Sequence, residues 1–193
     1  MEKYPITVKL NSEVTDVAQI DADEIIVATG AVARKLPVKG AEYGVEAVEY
    51  LLGEKQVGDN VVIVGGGLTG CEIAYELYLQ GKKPTIVEMQ HDLIVSDKIC
   101  LANTSYLRDF FAANKVPVHL ETKLSEIRED GVTVVDKDGK SFDIPADSVI
   151  LSVGYTPAPL VKKKAHVHVI GDAHKVGNLR TVIWQAWDIG MKL

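Results

Sequence analysis

Cysteine is nearly absent: Cys71 and Cys100 are the only two in 193 residues. Their separation excludes a CxxC redox pair, and two thiols are too few to hold a zinc ion or an iron–sulfur cluster by themselves. Positive charge is also in deficit. A net charge of −6 and a pI near 5.4 argue against nucleic acid or an anionic membrane surface as a general partner. The one basic cluster, Lys162-Lys163-Lys164, reads as a solvated connector. No run approaches the ~20 apolar residues of a membrane span. The opening Met1-Glu2-Lys3-Tyr4-Pro5 lacks the apolar core of a secretion signal, so the expectation is a soluble, cytoplasmic protein. No Ser/His/Asp constellation and no pair of carboxylates stands out, and no side chain is assigned as catalytic. What is plentiful is apolar material, at 47% of residues, ample for a packed core in one large domain or two small ones.

The most informative stretch is an apolar strand over 61–64 that runs into Gly65-Gly66-Gly67-Leu68-Thr69-Gly70 and then a helix over 69–79. The glycines of this pattern divide the work. Gly65 makes the tight turn, Gly67 lets backbone approach a pyrophosphate, and Gly70 lets helix and strand pack closely. The helix then points its unpaired N–H groups and the positive end of its dipole at the phosphates. A second strand over 84–87 ends at Glu88, near the spacing of ~20 residues at which an acid meets the adenosine ribose. That carboxylate accepts hydrogen bonds from ribose hydroxyls and repels a 2′-phosphate, which favours NADH over NADPH. Cys71, just inside the helix, reads as a small buried packing residue.

Two distant segments look like copies. Ala22-Asp23-Glu24-Ile25-Ile26-Val27-Ala28-Thr29-Gly30 and Ala146-Asp147-Ser148-Val149-Ile150-Leu151-Ser152-Val153-Gly154 each comprise an acidic entry, an apolar run suited to a strand buried on both faces, and a turning glycine. A proline-containing crossing segment follows each, over 34–37 and 156–159. Between the copies lies one nearly complete unit. A helix over 98–114 and a strand over 116–120 follow Glu88. Then comes a β-meander over 124–128, 132–136 and 141–144, with a turn at Asp138-Gly139 and a closing buried strand over 148–151. The flanking unit is incomplete: a strand over 23–30, a short strand ending Ile170-Gly171-Asp172, and a helix over 178–191. In that helix Val182, Ile183, Ala186 and Ile189 are spaced for one apolar face, while Trp184 and Trp187 are candidates for exposure. The expectation is a fragment of a longer chain. The fold class is α/β, a three-layer Rossmann-like fold in which a complete dinucleotide-binding domain carrying a β-meander is inserted into a second, truncated nucleotide-binding domain; the resemblance given next makes these the NAD and FAD domains of an FAD/NAD(P)-binding fold. The boundaries are 1–56, 57–152 and 153–193.

Ala28-Thr29-Gly30, the Gly65 to Glu72 loop and helix start, Val153-Gly154-Tyr155-Thr156-Pro157, and Gly171-Asp172-Ala173 occur in the order of the two-dinucleotide-domain flavoproteins. The chain thus resembles the pyridine nucleotide-disulfide oxidoreductase fold over nearly its whole length. Gly67-Leu68-Thr69-Gly70-Cys71-Glu72-Ile73-Ala74, with Val169-Ile170-Gly171-Asp172-Ala173 and Ile183-Trp184-Gln185-Ala186, is similar to the C-terminal region of NADH:flavin oxidoreductases related to 2,4-dienoyl-CoA reductase and 2-enoate reductase. That resemblance implies an upstream barrel carrying FMN and a 4Fe-4S cluster, where an activated carbon–carbon double bond is reduced. It makes this chain the electron-input end, where hydride passes from NADH to FAD.

Carried over by position, the resemblance puts Gly65, Gly66, Gly67, Leu68, Thr69 and Gly70 at the NADH pyrophosphate and Glu88 at the ribose. Glu72 and Gly154 fall near the nicotinamide, although an exposed first-turn acid also suits a helix dipole without any ligand. Ala28, Thr29, Gly30, Gly171 and Asp172 fall on the FAD side. Leu68 stands where some relatives place an aromatic gate, so that gate is absent or different. The missing first glycine loop implies weak or absent FAD binding by this chain alone. His166 and His168 alternate on a strand, but no third ligand accompanies them, and no metal is expected; His91 and His174 read as surface residues. A dithiol-relaying disulfide reductase of the same fold needs a cysteine pair that Cys71 and Cys100 do not supply. A non-catalytic nucleotide-sensing or partner-docking module of this fold is the alternative reading.

Overall fold

The computed structural model describes residues 3–95, 100–161 and 164–193. In chain order the elements are β1 (Ile25–Val27), β2 (Ala31–Ala33), β3 (Val45–Glu46), α1 (Ala47–Leu51), β4 (Asn60–Val64), α2 (Leu68–Leu79), β5 (Lys83–Val87), α3 (Leu101–Ala113) and β6 (Val118–His119). They continue with β7 (Lys123–Arg128), β8 (Gly131–Val135), β9 (Ser141–Pro145), β10 (Ser148–Leu151), β11 (Tyr155–Pro157), β12 (Val167–Val169) and α4 (Leu179–Gly190). Packing divides them into two compact units, Ala33–Gly154 and the flanking Met1–Val32 with Tyr155–Leu193.

The central unit is built on a parallel sheet in the order β3-β10-β4-β5-β6. Its middle strand is continuous in apolar residues because both of its faces are covered. Successive side chains of β4 go to opposite cores: Val61 and Ile63 join Ile73, Leu77, Leu107 and Phe111 from α2 and α3. Val62 and Val64 join Val132, Val134 and Ile144 of the meander on the other face. The meander is the antiparallel sheet β7-β8-β9. Helix layer, parallel sheet and meander form the three layers expected from the sequence. At the strand entry, Asp147 accepts hydrogen bonds from the Asn60 backbone N–H and from its Nδ2, both at 2.8 Å. Those bonds hold its carboxyl below the usual aspartate range. The acidic entry of that sequence copy is therefore a clamp between the starts of β4 and β10.

Residues 33–56, joined to the first segment in the sequence reading, pack in the central unit, where β3 pairs in parallel with β10. Several element bounds are corrected. The 98–114 helix is observed as Leu101–Ala113, and Lys98 lies outside the described residues, as do Lys162 and Lys163. The 116–120 strand shrinks to Val118–His119.

In the flanking unit β1 pairs in parallel with β12, and β2 pairs with β11. The strand expected over 23–30 is confined to Ile25–Val27 and is not buried on both faces: Ile25 and Val27 are inside, whereas Ile26 is 47% exposed. β12 stops at Val169, and Gly171-Asp172-Ala173 form a 3-10 turn rather than strand. Helix α4 starts on a reciprocal cap. The Thr181 N–H donates to Asn178 Oδ1 (3.1 Å), and the Asn178 N–H donates to Thr181 Oγ1 (2.9 Å). Its apolar face differs from the expected one. Val182 and Ile189 are half-buried on the same side as Gln185, whereas Ile183 and Ala186 are exposed together with Trp184 and Trp187.

Candidate functional site

The site grows out of the C-terminal end of β4. The Gly65 N–H donates to the Val87 carbonyl at 2.9 Å, extending the ladder with β5 by one bond. The chain then turns at φ +109, where any side chain is strained, and a Cβ would in addition run into the Ser152 carbonyl beyond β10. A Cβ on Gly70 would collide with the Gly65 carbonyl, which is how closely α2 lies on the turn. Gly67 is different: a Cβ there would meet nothing within 4 Å, and the residue is exposed. It is also the N-cap of α2, so no side chain caps the first turn from that position. Open space at Gly67 in front of first-turn N–H groups is what an anionic group such as a pyrophosphate requires.

Glu88 lies against Gly66, the residue before this opening. It is only 8% exposed, and both of its carboxylate oxygens are engaged by backbone. Oε2 accepts from the Gly66 N–H at 2.5 Å, and Oε1 accepts from the Gln90 N–H at 2.7 Å. Each carboxylate oxygen has a second lone-pair direction, so these bonds fix the group while leaving acceptor capacity for a sugar hydroxyl. The sequence placed Glu88 beside the glycine run; its anchoring of Gly66 was not foreseen.

Cys71 is buried, and its Sγ contacts the Gly66 carbonyl at 3.4 Å. Burial first, and then the neighbouring Glu88 charge, push its thiol up to about 12, opposite to the lowering a helix N-terminus alone would give. It is an inert packing residue at neutral pH. Glu72 is exposed on the second turn of α2, not the first as expected, Leu68 and Thr69 are half-buried, and Gly154, at φ +86, is exposed with open space where a Cβ would lie.

The flanking unit carries the remaining candidates. Thr29 Oγ1 donates to the Ala158 carbonyl at 2.7 Å, between exposed Ala28 and the turn at Gly30. The Gly171 N–H donates to Gln185 Oε1 at 2.7 Å, and Asp172 Oδ1 accepts from the Gly177 N–H at 3.0 Å, a loop-closing role. His168 Nε2 lies 2.7 Å from Glu24 Oε2, while His166, His91 and His174 are exposed. Among the described residues no group of three His, Cys, Asp or Glu side chains is arranged to hold a metal.

Sequence reasoning missed the segment after Glu88. Leu93 and Ile94 are buried, and the Ile94 N–H donates to the Gly66 carbonyl at 2.8 Å. Arg108 of α3 reaches that segment. An apolar pair in a loop was the only available signal.

The chain spans 29–30% of the length of the two curated relatives described next, and its own length is nearly all matched. It is 35% identical over 97% of its residues to 29% of the cinnamate reductase of Clostridium sporogenes. It is 30% identical over 95% of its residues to 30% of the NADH oxidase of Thermoanaerobacter brockii. Among solved structures it superposes on a 2-naphthoyl-CoA reductase complex with a TM-score of 0.78 at 24% identity, covering 89% of this chain and 27% of that one. The model of the pyridine nucleotide-disulphide oxidoreductase family matches residues 3–181, and it is to this family that the chain belongs.

Proposed function

We propose that the chain is the NADH-binding, electron-input part of a flavin-dependent oxidoreductase, within an enoate reductase-like or 2,4-dienoyl-CoA reductase-like enzyme that reduces activated C=C bonds. The observation that carries this reading is the open position at Gly67, in front of a helix start and beside the anchored Glu88 carboxylate. Bound NADH supplies a hydride and bound FAD accepts it. Gly65, Gly66, Gly67, Leu68, Thr69 and Gly70 present backbone to the pyrophosphate. Glu88 takes the ribose diol and disfavours a 2′-phosphate. Glu72 and Gly154 flank the nicotinamide end. Ala28, Thr29, Gly30, Gly171 and Asp172 serve the FAD side.

The partner is a barrel with FMN and a 4Fe-4S cluster, upstream in the same polypeptide. This chain's own cysteines do not suit a cluster, since Cys71 is buried with a raised thiol pKa and Cys100 is an exposed free thiol. A cinnamate reductase among the relatives supports the substrate class, because cinnamate is itself a 2-enoate.

The test is anaerobic mixing of NADH with the longer polypeptide that includes this chain. NADH should bleach the flavin absorbance, and Gly67→Ala should raise the half-saturating NADH concentration about tenfold, the equivalent of ~1.4 kcal/mol. Absence of NADH-dependent reduction of flavin or of an artificial acceptor would favour a nucleotide-sensing or docking module instead.

A further inference from the structure

Both backbone polar groups of Gly66 are held, one in the peptide that precedes it and one in the peptide that follows. Its N–H donates to Glu88, and its carbonyl accepts from the Ile94 N–H at 2.8 Å. A Cβ on Gly66 would lie 2.6 Å from Leu93 Cδ2 and 3.0 Å from Glu88 Cβ, so the glycine turn packs tightly against both Glu88 and Leu93 of the loop of residues 92–94. That loop is not at rest. Ile94 adopts φ +51, a left-handed conformation that a β-branched residue occupies only when its surroundings force it.

The loop is contacted from α3. Arg108 Nη2 donates to the Leu93 carbonyl, and Arg108 Nε lies 3.1 Å from Asp92 Oδ2. The second contact is one of charge, because the Nε–H is not aligned for a hydrogen bond. Asp92 is itself locked, with Oδ1 accepting from the Leu93 N–H at 2.7 Å. A guanidinium addresses the carboxylate and the carbonyl from two nitrogens held at fixed spacing in one plane, whereas an ammonium has a single nitrogen and no such fixed spacing.

We infer that Arg108 is a positioning residue for dinucleotide binding: it holds residues 92–94 so that Ile94 and Leu93 fix the Gly66 peptide, and with it the direction of the amides at Gly67 and the α2 start. It acts through the loop, with its own polar contacts on Asp92 and Leu93. This inference rests on the NADH reading of the glycine turn.

Calorimetric titration of the full chain with NADH tests it, alongside amide hydrogen exchange. Arg108→Ala should weaken NADH about tenfold, within the range for losing hydrogen bonds from a charged donor. The Ile94 amide should exchange faster while the amides of β4 stay as protected as before. Arg108→Lys, which keeps the charge and loses the fork, should recover part of the affinity. Unchanged NADH affinity in Arg108→Ala overturns the inference alone, and so does a loss accompanied by equally faster exchange throughout β4. If Arg108→Ala does not fold, Arg108→Lys carries the test, and wild-type affinity in that variant overturns it. A wild-type chain that takes up no NADH overturns the parent reading and this inference with it.

Discussion

β10 and β1 begin from nearly the same string of residues, an acid, an apolar run and a turning glycine, yet they end in different surroundings. β10 lies between β3 and β4, and Val149, Ile150 and Leu151 are all buried. Among the described residues β1 pairs with β12 alone, and Ile26 in its middle is 47% exposed. The closing glycines nonetheless adopt the same turn, with φ +77 at Gly30 and +86 at Gly154. Local conformation therefore follows the string, whereas burial follows the number of neighbouring strands. Around β1 the buried cluster among the described residues is Val17, Ile25, Val27 and Val167. Around β10 two larger clusters cover both faces of the sheet.

The comparison breaks most visibly if matched truncations cost the same. Ile150→Ala removes a fully buried side chain and should destabilise the central unit by about 2–5 kcal/mol in urea unfolding. Ile26→Ala should cost less than about 1 kcal/mol, since half of its side chain already faces solvent. Equal losses would mean that β1 is covered in solution. The paired change of Trp184 and Trp187 to Lys sharpens the same point. Both indoles are exposed, at 66% and 68%, so stability should stay within ~0.5 kcal/mol while self-association in sedimentation runs falls.

The smallest effect is a pH slope. Burial pushes the His119 imidazole, next to Phe142 on the meander side, below its ordinary 6.5. The unfolded chain then binds the proton more readily than the folded one. The contribution to stability is complete above pH 6.5 and is lost as the pH falls below it. His119→Gln should flatten the acid limb of the central unit's melting-temperature profile; an unchanged limb would remove His119 from the account.

Much of the central unit was legible because its signals are local and redundant. A run of alternating cores, three glycines, a helix and an acid at β5's end leave one topology, and Asp138-Gly139 marks the meander turn. Where a signal was short or doubled, the reading failed. β3 and α1 are too brief to show a period, so nothing in residues 33–56 announced the pairing of β3 with β10. In α4, Ile183, Trp184 and Trp187 make an apolar stripe beside that of Val182 and Ile189, and periodicity cannot say which stripe is covered. Arg108 was invisible because its role depends on a loop conformation at Ile94 that no residue pattern announces.

The central claim is that the backbone around Gly67, with Glu88 beside it, receives NADH. Titrating isotope-labelled chain with NADH while following backbone amide resonances tests this directly. The amides of Gly66, Gly67, Leu68, Thr69 and Gln90 should shift together along one saturating curve, and NADPH should require a higher concentration to move them. Resonances of the glycine turn that stay fixed at saturating NADH, or shifts confined to the flanking unit, would contradict the account.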